Sequence, residues 1–377
     1  MFYHFLPGLT DVHILFNLFN YLTFRSAGAG ATAFLCAVLA GPATIRRLRL
    51  LRVGQVVRTE GPESHLEKAG TPTMGGVLII LGATASTLLW AELTNWYVVL
   101  TLLALLWMGA IGFMDDYLKV VQHRPRGLIA RYKMIGQLSF GLALGIFLVL
   151  YPIHPVPSTW SMVPFFDGWV AVFHPAVFIA FVALVVSGTS NAVNLTDGLD
   201  GLAGGLNAIA FITFGVLAYL ICRVDTSAYL GLLYLPCTWE LAVFAAALAG
   251  GITGFLWYNA HPAEVFMGDT GSLALGGALA VMAILLKAEF LLLIVGGVFV
   301  VEALSVMLQV SWFKITKRTR GEGARLFRMA PLHHHFEHVW AERKRVRGKE
   351  IEQTVVVRFW ILGVLCALAA FSTLKIR

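Results

Sequence analysis

Charge is scarce in this chain. Asp, Glu, Lys and Arg make up 13% of its 377 residues, against about 25% in a typical soluble domain. Hydrophobic residues reach 58% and mean hydropathy is +0.77. That deficit argues against a water-soluble globule and for a polytopic membrane protein. Cysteine is scarce as well. Cys36, Cys222, Cys237 and Cys366 show no metal-ligand spacing, which leaves no cysteine-based metal site. Cys222 and Cys237 flank one external loop, so a disulfide there and isolated apolar cysteines both stay open. No aromatic-basic groove pattern accompanies the formal charge of +7, so no nucleic-acid partner is expected. The N-terminus lacks the basic region, short apolar core and small-residue cleavage site of a removable signal, and none is expected.

What the chain has is long apolar runs. A bilayer-crossing helix needs about 20 such residues. Runs near that length lie at about 24–44, 74–93, 96–114, 134–151, 174–190, 201–222, 239–258, 270–287, 290–313 and 355–374. The split between the eighth and ninth rests on Lys287-Ala288-Glu289 alone. Basic residues gather in alternate loops: Arg46, Arg47, Arg49, Arg52, Arg58 and Lys68; then Lys119, Arg124, Arg126, Arg131 and Lys133; then Lys314 onward to Lys349. Cationic loops stay cytoplasmic. The expectation is an all-α polytopic membrane protein of about ten transmembrane helices, with both termini periplasmic. It forms one integral-membrane domain over 1–377, with cytoplasmic loops near 45–73, 115–133, 191–200, 259–269 and 314–354. The lipid bilayer is its first partner.

The chemically able residues cluster beside those basic loops. Asp115 and Asp116 end the third span, where the helix macrodipole already disfavours negative charge, and Lys119 stands one turn on as partial compensation. Such a pair suits a metal or a proton transfer. Between the fifth and sixth spans stand Asn194, Asp197 and Asp200. One helix needs one cap, so capping does not explain all three. Before the eighth span, Gly268-Asp269-Thr270-Gly271-Ser272 reads as a helix N-terminus fit for a diphosphate, with Asp269 able to hold a cation on the same phosphate oxygens. Together the five aspartates form an oxygen-donor set, which suits Mg²⁺ or Mn²⁺ rather than zinc. His333, His334 and His335 are consecutive, and three adjacent imidazoles rarely converge on one ion; contact with substrate diphosphate fits them better. Lys68, Thr71 and Thr73 put a cation and hydroxyls at the mouth of the second span.

Six stretches carry a family resemblance: Gly61-Pro62-Glu63-Ser64-His65, Gly70 to Gly76, Asp115-Asp116, Asn191 to Leu202, Phe266-Met267-Gly268-Asp269, and Met329-Ala330-Pro331-Leu332-His333-His334-His335. In combination and order they closely resemble the phospho-N-acetylmuramoyl-pentapeptide transferases of bacterial cell-wall synthesis, over nearly the whole chain. The histidine triplet and Gly61 to His65 separate that branch from relatives transferring N-acetylglucosamine phosphate, which remain the alternative. The resemblance implies a ten-helix enzyme of the bacterial inner membrane, commonly a homodimer, with its active site on the cytoplasmic face. Its substrates would be UDP-N-acetylmuramoyl-pentapeptide and undecaprenyl phosphate, its products lipid I and UMP, and its cofactor Mg²⁺. By matching motif, Asp269 would be the Mg²⁺ ligand, with Asp115, Asp116 and His333 in the catalytic set. Lys68, Thr73, Asn194, Asp197, Asp200, Asn259 and Phe266 would line the nucleotide-sugar pocket; Lys133, Gln309, His334 and His335 would complete the cleft.

Two routes fit that chemistry: direct attack by the lipid phosphate, or an Asp nucleophile forming a phosphoryl-enzyme. An ion-coupled transporter is the rival from another class, but it predicts acids near mid-span, whereas these sit at span ends on one side.

Overall fold

The computed structural model describes residues 1–50, 70–124, 127–166, 169–344 and 349–375. A short helix α1 (Phe2–Phe5) and two 3₁₀ turns (Pro7–Leu9 and Ile14–Asn20) lead into α2 (Leu22–Leu50). Then come α3 (Gly76–Trp90), α4 (Trp96–Val120) and α5 (Ala130–Leu150). A small antiparallel hairpin of β1 (Trp160–Met162) and β2 (Val170–Val172) pairs Ser161 with Ala171. The chain continues through α6 (Pro175–Thr196), α7 (Leu202–Ile221), α8 (Val224–Leu230), α9 (Trp239–Asn259) and α10 (Gly268–Leu285). It closes with α11 (Glu289–Val295), α12 (Gly297–Arg320), α13 (Leu332–Lys344) and α14 (Lys349–Thr373).

The architecture is all-α and polytopic. Hydrocarbon offers backbone groups no partner, so a spanning segment must satisfy its own N–H and C=O groups as a helix. Among the described residues nine helices are long and apolar enough to cross a membrane, and α3, with 15 residues, is shorter. These and α3 correspond to the ten apolar runs. Local chemistry sets their ends: Asn95 caps α4 by accepting from Tyr97 N at 2.9 Å, and Pro175 opens α6 where no amide donor is needed.

Three expectations need correction. The ninth run is not one helix: it breaks at Gly296 into α11 and α12, and α12 extends to Arg320. The 314–354 stretch is not a plain loop, since α13 carries the histidine triplet in its first turn and α14 starts at Lys349. Its charge hides any apolar face, so no period announced a helix. Nor do the polar clusters all lie at one end: Arg25–Glu240 and Lys287 with Glu289 sit at the opposite end of the bundle, buried. All four cysteines are free, Cys222 buried and Cys237 exposed.

Helix α10 is the pillar on which the rest is arranged. Every residue from Thr270 to Leu285 is buried, and α3, α4, α6 and α7 pack around it. By contrast, only 22% of the apolar window of α12 is buried, and Leu304, Met307, Leu308 and Val310 face outward, as lipid-facing residues do. Close approach to α10 needs small residues. At Gly112 of α4, a Cβ would stand 2.1 Å from the carbonyl oxygen of Asp269. That contact brings the end of α4 against the start of α10, and with it the residues of the site.

Candidate active site

Asp115 and Asp116, adjacent in α4, do different things. Asp116 caps α10 from outside. Its Oδ1 accepts from Asp269 N at 3.2 Å, and its Oδ2 accepts from Thr270 N at 2.9 Å and Thr270 Oγ1 at 2.7 Å. A carboxylate at a helix N-terminus both satisfies orphan N–H groups and meets the positive end of the dipole. Gly268 stands before it with φ +73°, and a Cβ there would lie 2.6 Å from Asp116 Oδ2 and 2.8 Å from Thr73 Oγ1. Asp115 instead turns into the space ahead of α10. Its Oδ1 accepts from Leu128 N at 2.8 Å, and its Oδ2 pairs with Lys119.

Asp269, in the first turn of α10, is the meeting point. Lys133 Nζ donates to its Oδ2 at 2.6 Å and Lys119 Nζ lies 3.2 Å from the same oxygen. Asn194 Nδ2, from the last turn of α6, donates to Asp269 Oδ1 and to Ser272 Oγ, both at 2.8 Å. Oxygens of Asp115, Asp116 and Asp269 lie within 4.8 Å of one another. Asp197, just past α6, takes the Gly268 N–H. Burial first, then the charges of Asp269, Asp116 and Asp200, push its carboxyl up to about 8. Two lysines thus serve Asp115 and Asp269, with Asp116 and Asp197 beside them.

Thr73 and Phe266 belong to one local pairing. Phe266 N donates to Pro72 O and Gly75 N to Phe266 O, each at 2.8 Å, which lays 72–76 along 266–267 at the pocket edge.

Asp200 and Asn259 sit one layer back. Asp200 Oδ2 meets His261 Nδ1 at 2.9 Å and Ala263 N at 3.1 Å, while Glu352 of α14 accepts from Asp200 N at 2.9 Å. Asn259 Oδ1 accepts from Gly201 N at 3.0 Å, and its Nδ2 donates to Val265 O at 2.9 Å. Asp200 is therefore not the cap of α7; it helps hold the 197–201 turn against α9 and α14.

The three histidines go three ways. His333 is fully buried, its N–H donated to Glu302 Oε1 at 3.0 Å. His334 Nδ1 lies 3.3 Å from Glu337 Oε2. His335 Nδ1 accepts from Arg328 N at 3.3 Å, and its imidazole is held below its usual range by burial first, then by Arg328 and His338. Gln309 Oε1 accepts from Leu326 N at 3.0 Å and Phe327 N at 2.9 Å, which folds the 324–328 turn back on α12.

Comparison with known proteins matches residues 97–287 to the model described as glycosyl transferase family 4, and residues 68–80 to phospho-N-acetylmuramoyl-pentapeptide-transferase signature 1. A phospho-N-acetylmuramoyl-pentapeptide-transferase of Gemmatimonas aurantiaca is 52% identical over 386 residues, covering 98% of both chains. That of Citrifermentans bemidjiense is 51% identical over 380 residues and covers 100% of both, and that of Koribacter versatilis is 48% identical over 96% of this chain and 95% of its own. The chain belongs to the phospho-N-acetylmuramoyl-pentapeptide transferase family. It is accordingly an enzyme, a multi-pass protein of the bacterial inner membrane.

Set against this transferase frame, the structure brings Asp115, Asp116, Asp197, Asp269, Asn194, Lys133 and Thr73 together. Asp200 and Asn259 support them from behind, whereas Gln309 holds the 324–328 turn. Lys68 and the Gly61 to His65 motif lie outside the described residues. Two residues that the sequence reading leaves out belong with the site: Lys119, read only as a partner for Asp115, and His261, whose partner Asp200 lies far along the chain. As a metal cradle the pocket fits a hard divalent cation. Its donors are carboxylate oxygens, and two lysine ammoniums already gather on Asp269, where positive charge is favoured. Asp116, with both oxygens committed to α10, is the weakest ligand of the three.

Proposed function

We propose that this transferase moves phospho-N-acetylmuramoyl-pentapeptide from UDP-N-acetylmuramoyl-pentapeptide to undecaprenyl phosphate, releasing UMP and leaving lipid I. The observation that carries the reading is the meeting of Asp115, Asp197, Asp269, Asn194 and Lys133 at one end of a helical bundle, in a chain about half identical to named members along its full length. Signature 1 favours the muramoyl branch over the N-acetylglucosamine phosphate transferases. On this reading the chain is one membrane domain, a homodimer with periplasmic termini, and the pocket opens to the cytoplasm. The water-soluble nucleotide reaches the pocket from that side while the lipid arrives laterally.

Asp269 would hold Mg²⁺, which when bound would neutralise charge on the diphosphate and the UMP leaving group. An oxygen of the lipid phosphate attacks the sugar-proximal phosphorus. The bond from that phosphorus to the bridging oxygen breaks, and its electron pair leaves with UMP. At neutral pH the monoester, second pKa about 6, is largely dianionic, so Asp115 chiefly positions the attacking oxygen and takes its remaining proton when one is present. Lys119 and Lys133 place positive charge beside the diphosphate. Asn194 fixes Asp269 Oδ1, and Asp116 fixes the helix that carries Asp269. Thr73, Asp197 and Phe266 border the nucleotide sugar, with Asp200 and Asn259 keeping the 197–201 turn in place; Gln309 and His333 to His335 close the far side.

Transfer of radiolabelled sugar phosphate into an organic-extractable product, dependent on both lipid phosphate and Mg²⁺, tests the activity. Incorporation of labelled UMP into nucleotide sugar without lipid phosphate would overturn direct attack in favour of a phosphoryl-enzyme.

A further inference from the structure

Glu302 has no part in the pocket as described, yet it is a carboxylate with no exposure in the second turn of an apolar helix. Burying an ionisable side chain in a bilayer span is costly, and such residues pair or serve a site. Both carboxylate oxygens of Glu302 meet His333. Its Oε1 accepts the His333 N–H at 3.0 Å, at the second position of α13, so the carboxylate caps that helix from outside. Its Oε2 lies 3.3 Å from His333 Nδ1. Neither of these two atoms has a hydrogen-bond partner among the described residues, so what joins them is electrostatic proximity.

The other ring nitrogen, Nε2, meets the turn that borders the pocket. A Cβ on Gly198 would stand 2.2 Å from His333 Nε2 and 2.9 Å from Cε1, so the imidazole lies edge-on against the turn that follows Asp197. His333 Nε2 is buried and without a hydrogen-bond partner. A carboxylate this near Nδ1 favours the proton there, which leaves Nε2 with a defined role toward whatever enters beside Asp197. Glycine at 198 leaves the room that this approach requires.

We propose that Glu302 is a positioning residue for His333. It holds the backbone at the start of α13 and the imidazole in one orientation, so that Nε2 is presented to the diphosphate of the nucleotide sugar. The proposal rests on the reading of His333 as a substrate-facing group.

The test compares Glu302→Gln, Glu302→Ala, His333→Gln and the double variant Glu302→Ala/His333→Gln in the full-length enzyme, by steady-state sugar-phosphate transfer. Loss of a comparable supporting group costs about 10–100-fold. We expect His333→Gln and Glu302→Ala each to lower kcat by roughly that factor, with KM for the nucleotide sugar within about twofold. The double variant should be no slower than His333→Gln alone. Glu302→Gln, whose amide oxygen can still accept from the backbone and Nδ1, should retain within about tenfold of wild-type kcat and guards against misfolding of the alanine variant. The proposal is overturned if Glu302→Ala turns over like wild type, or if it costs the same factor again in the His333→Gln background. Wild-type turnover in His333→Gln would instead sink the substrate-facing reading of that histidine.

Discussion

The two ends of this bundle carry buried charge in opposite styles. Away from the basic loops, Arg25 pairs with Glu240 at 2.6 Å, with side-chain exposures of 3% and 0%. Glu240 Oε2 takes the Glu92 N–H at 2.9 Å, and Arg25 lies over the Tyr3 ring. Lys287 Nζ donates to Ser158 O, and Glu289 accepts from Ser161 Oγ, both at 2.5 Å. There each acid has its own cation or donor, and the groups lock short surface segments to helix ends. At the pocket end, Lys119 and Lys133 pair with Asp115 and Asp269 alone, and Asp116 and Asp197 stand beside them with no cation of their own among the described residues. Acid in excess of base is unfavourable for a folded protein unless a cation arrives to use it. The balanced end is built to stay closed, and the unbalanced end to receive a ligand.

The sharpest way to break the comparison is Asp269→Asn. Transfer should fall by about 10²–10³-fold, the range seen when a single charge-stabilising group is lost, with the helical content unchanged by circular dichroism. Activity within tenfold of wild type would remove Asp269 from the metal site. Next comes Asp116→Ala, which leaves the start of α10 uncapped. A stability loss of about 1–2 kcal/mol should accompany a kcat loss intermediate between wild type and Asp269→Asn, read from thermal melts and transfer assays together. A large kcat loss with no change in melting would make Asp116 a direct participant instead.

At the other end the expected pattern reverses. Arg25→Ala strands Glu240 in the interior, which typically costs about 3–5 kcal/mol, while specific activity of the folded fraction stays within about twofold. The test is a melting curve paired with active-site-normalised turnover. If Arg25→Ala abolishes turnover without destabilising the fold, the division between ends fails.

The smallest effect is a proton count. With its carboxyl raised from 3.8 to about 8, Asp197 is protonated at pH 7 in the metal-free enzyme. The folded state then holds a proton that the unfolded chain releases, so Asp197 lowers stability progressively as pH rises from about 4 to about 8. A divalent cation arriving nearby favours the carboxylate. Mg²⁺ titration at pH 7 should therefore release up to about one proton, measured calorimetrically in buffers of different ionisation enthalpy. Asp197→Asn should abolish that release.

Much of the arrangement was readable from the amino acids. The spans followed from apolar length, and the meeting of Asp115 with Asp269 followed from loop charge, because both fall on the side where Arg and Lys concentrate. What escaped was contact between distant segments. Asp116 and Asp115 are neighbours with the same chemistry, and only the cap on Thr270, 154 residues away, separates their duties. Lys119 was assigned to Asp115 by helical spacing, whereas its reach to Asp269 depends on the Gly112 approach of α4 to α10. Asp200 resembled a cap because it precedes a helix; its partner Glu352 lies 152 residues on. The histidine triplet looked like loop because α13 is too polar to show an apolar stripe.

Helix α10 touches the surrounding lipid scarcely at all. The carboxylate at its tip therefore rides on the part of the molecule least coupled to bilayer thickness and fluidity, while α12, exposed along most of its length, takes those stresses. A change of membrane composition should alter how quickly the greasy acceptor finds its way in, and leave the geometry that awaits it untouched.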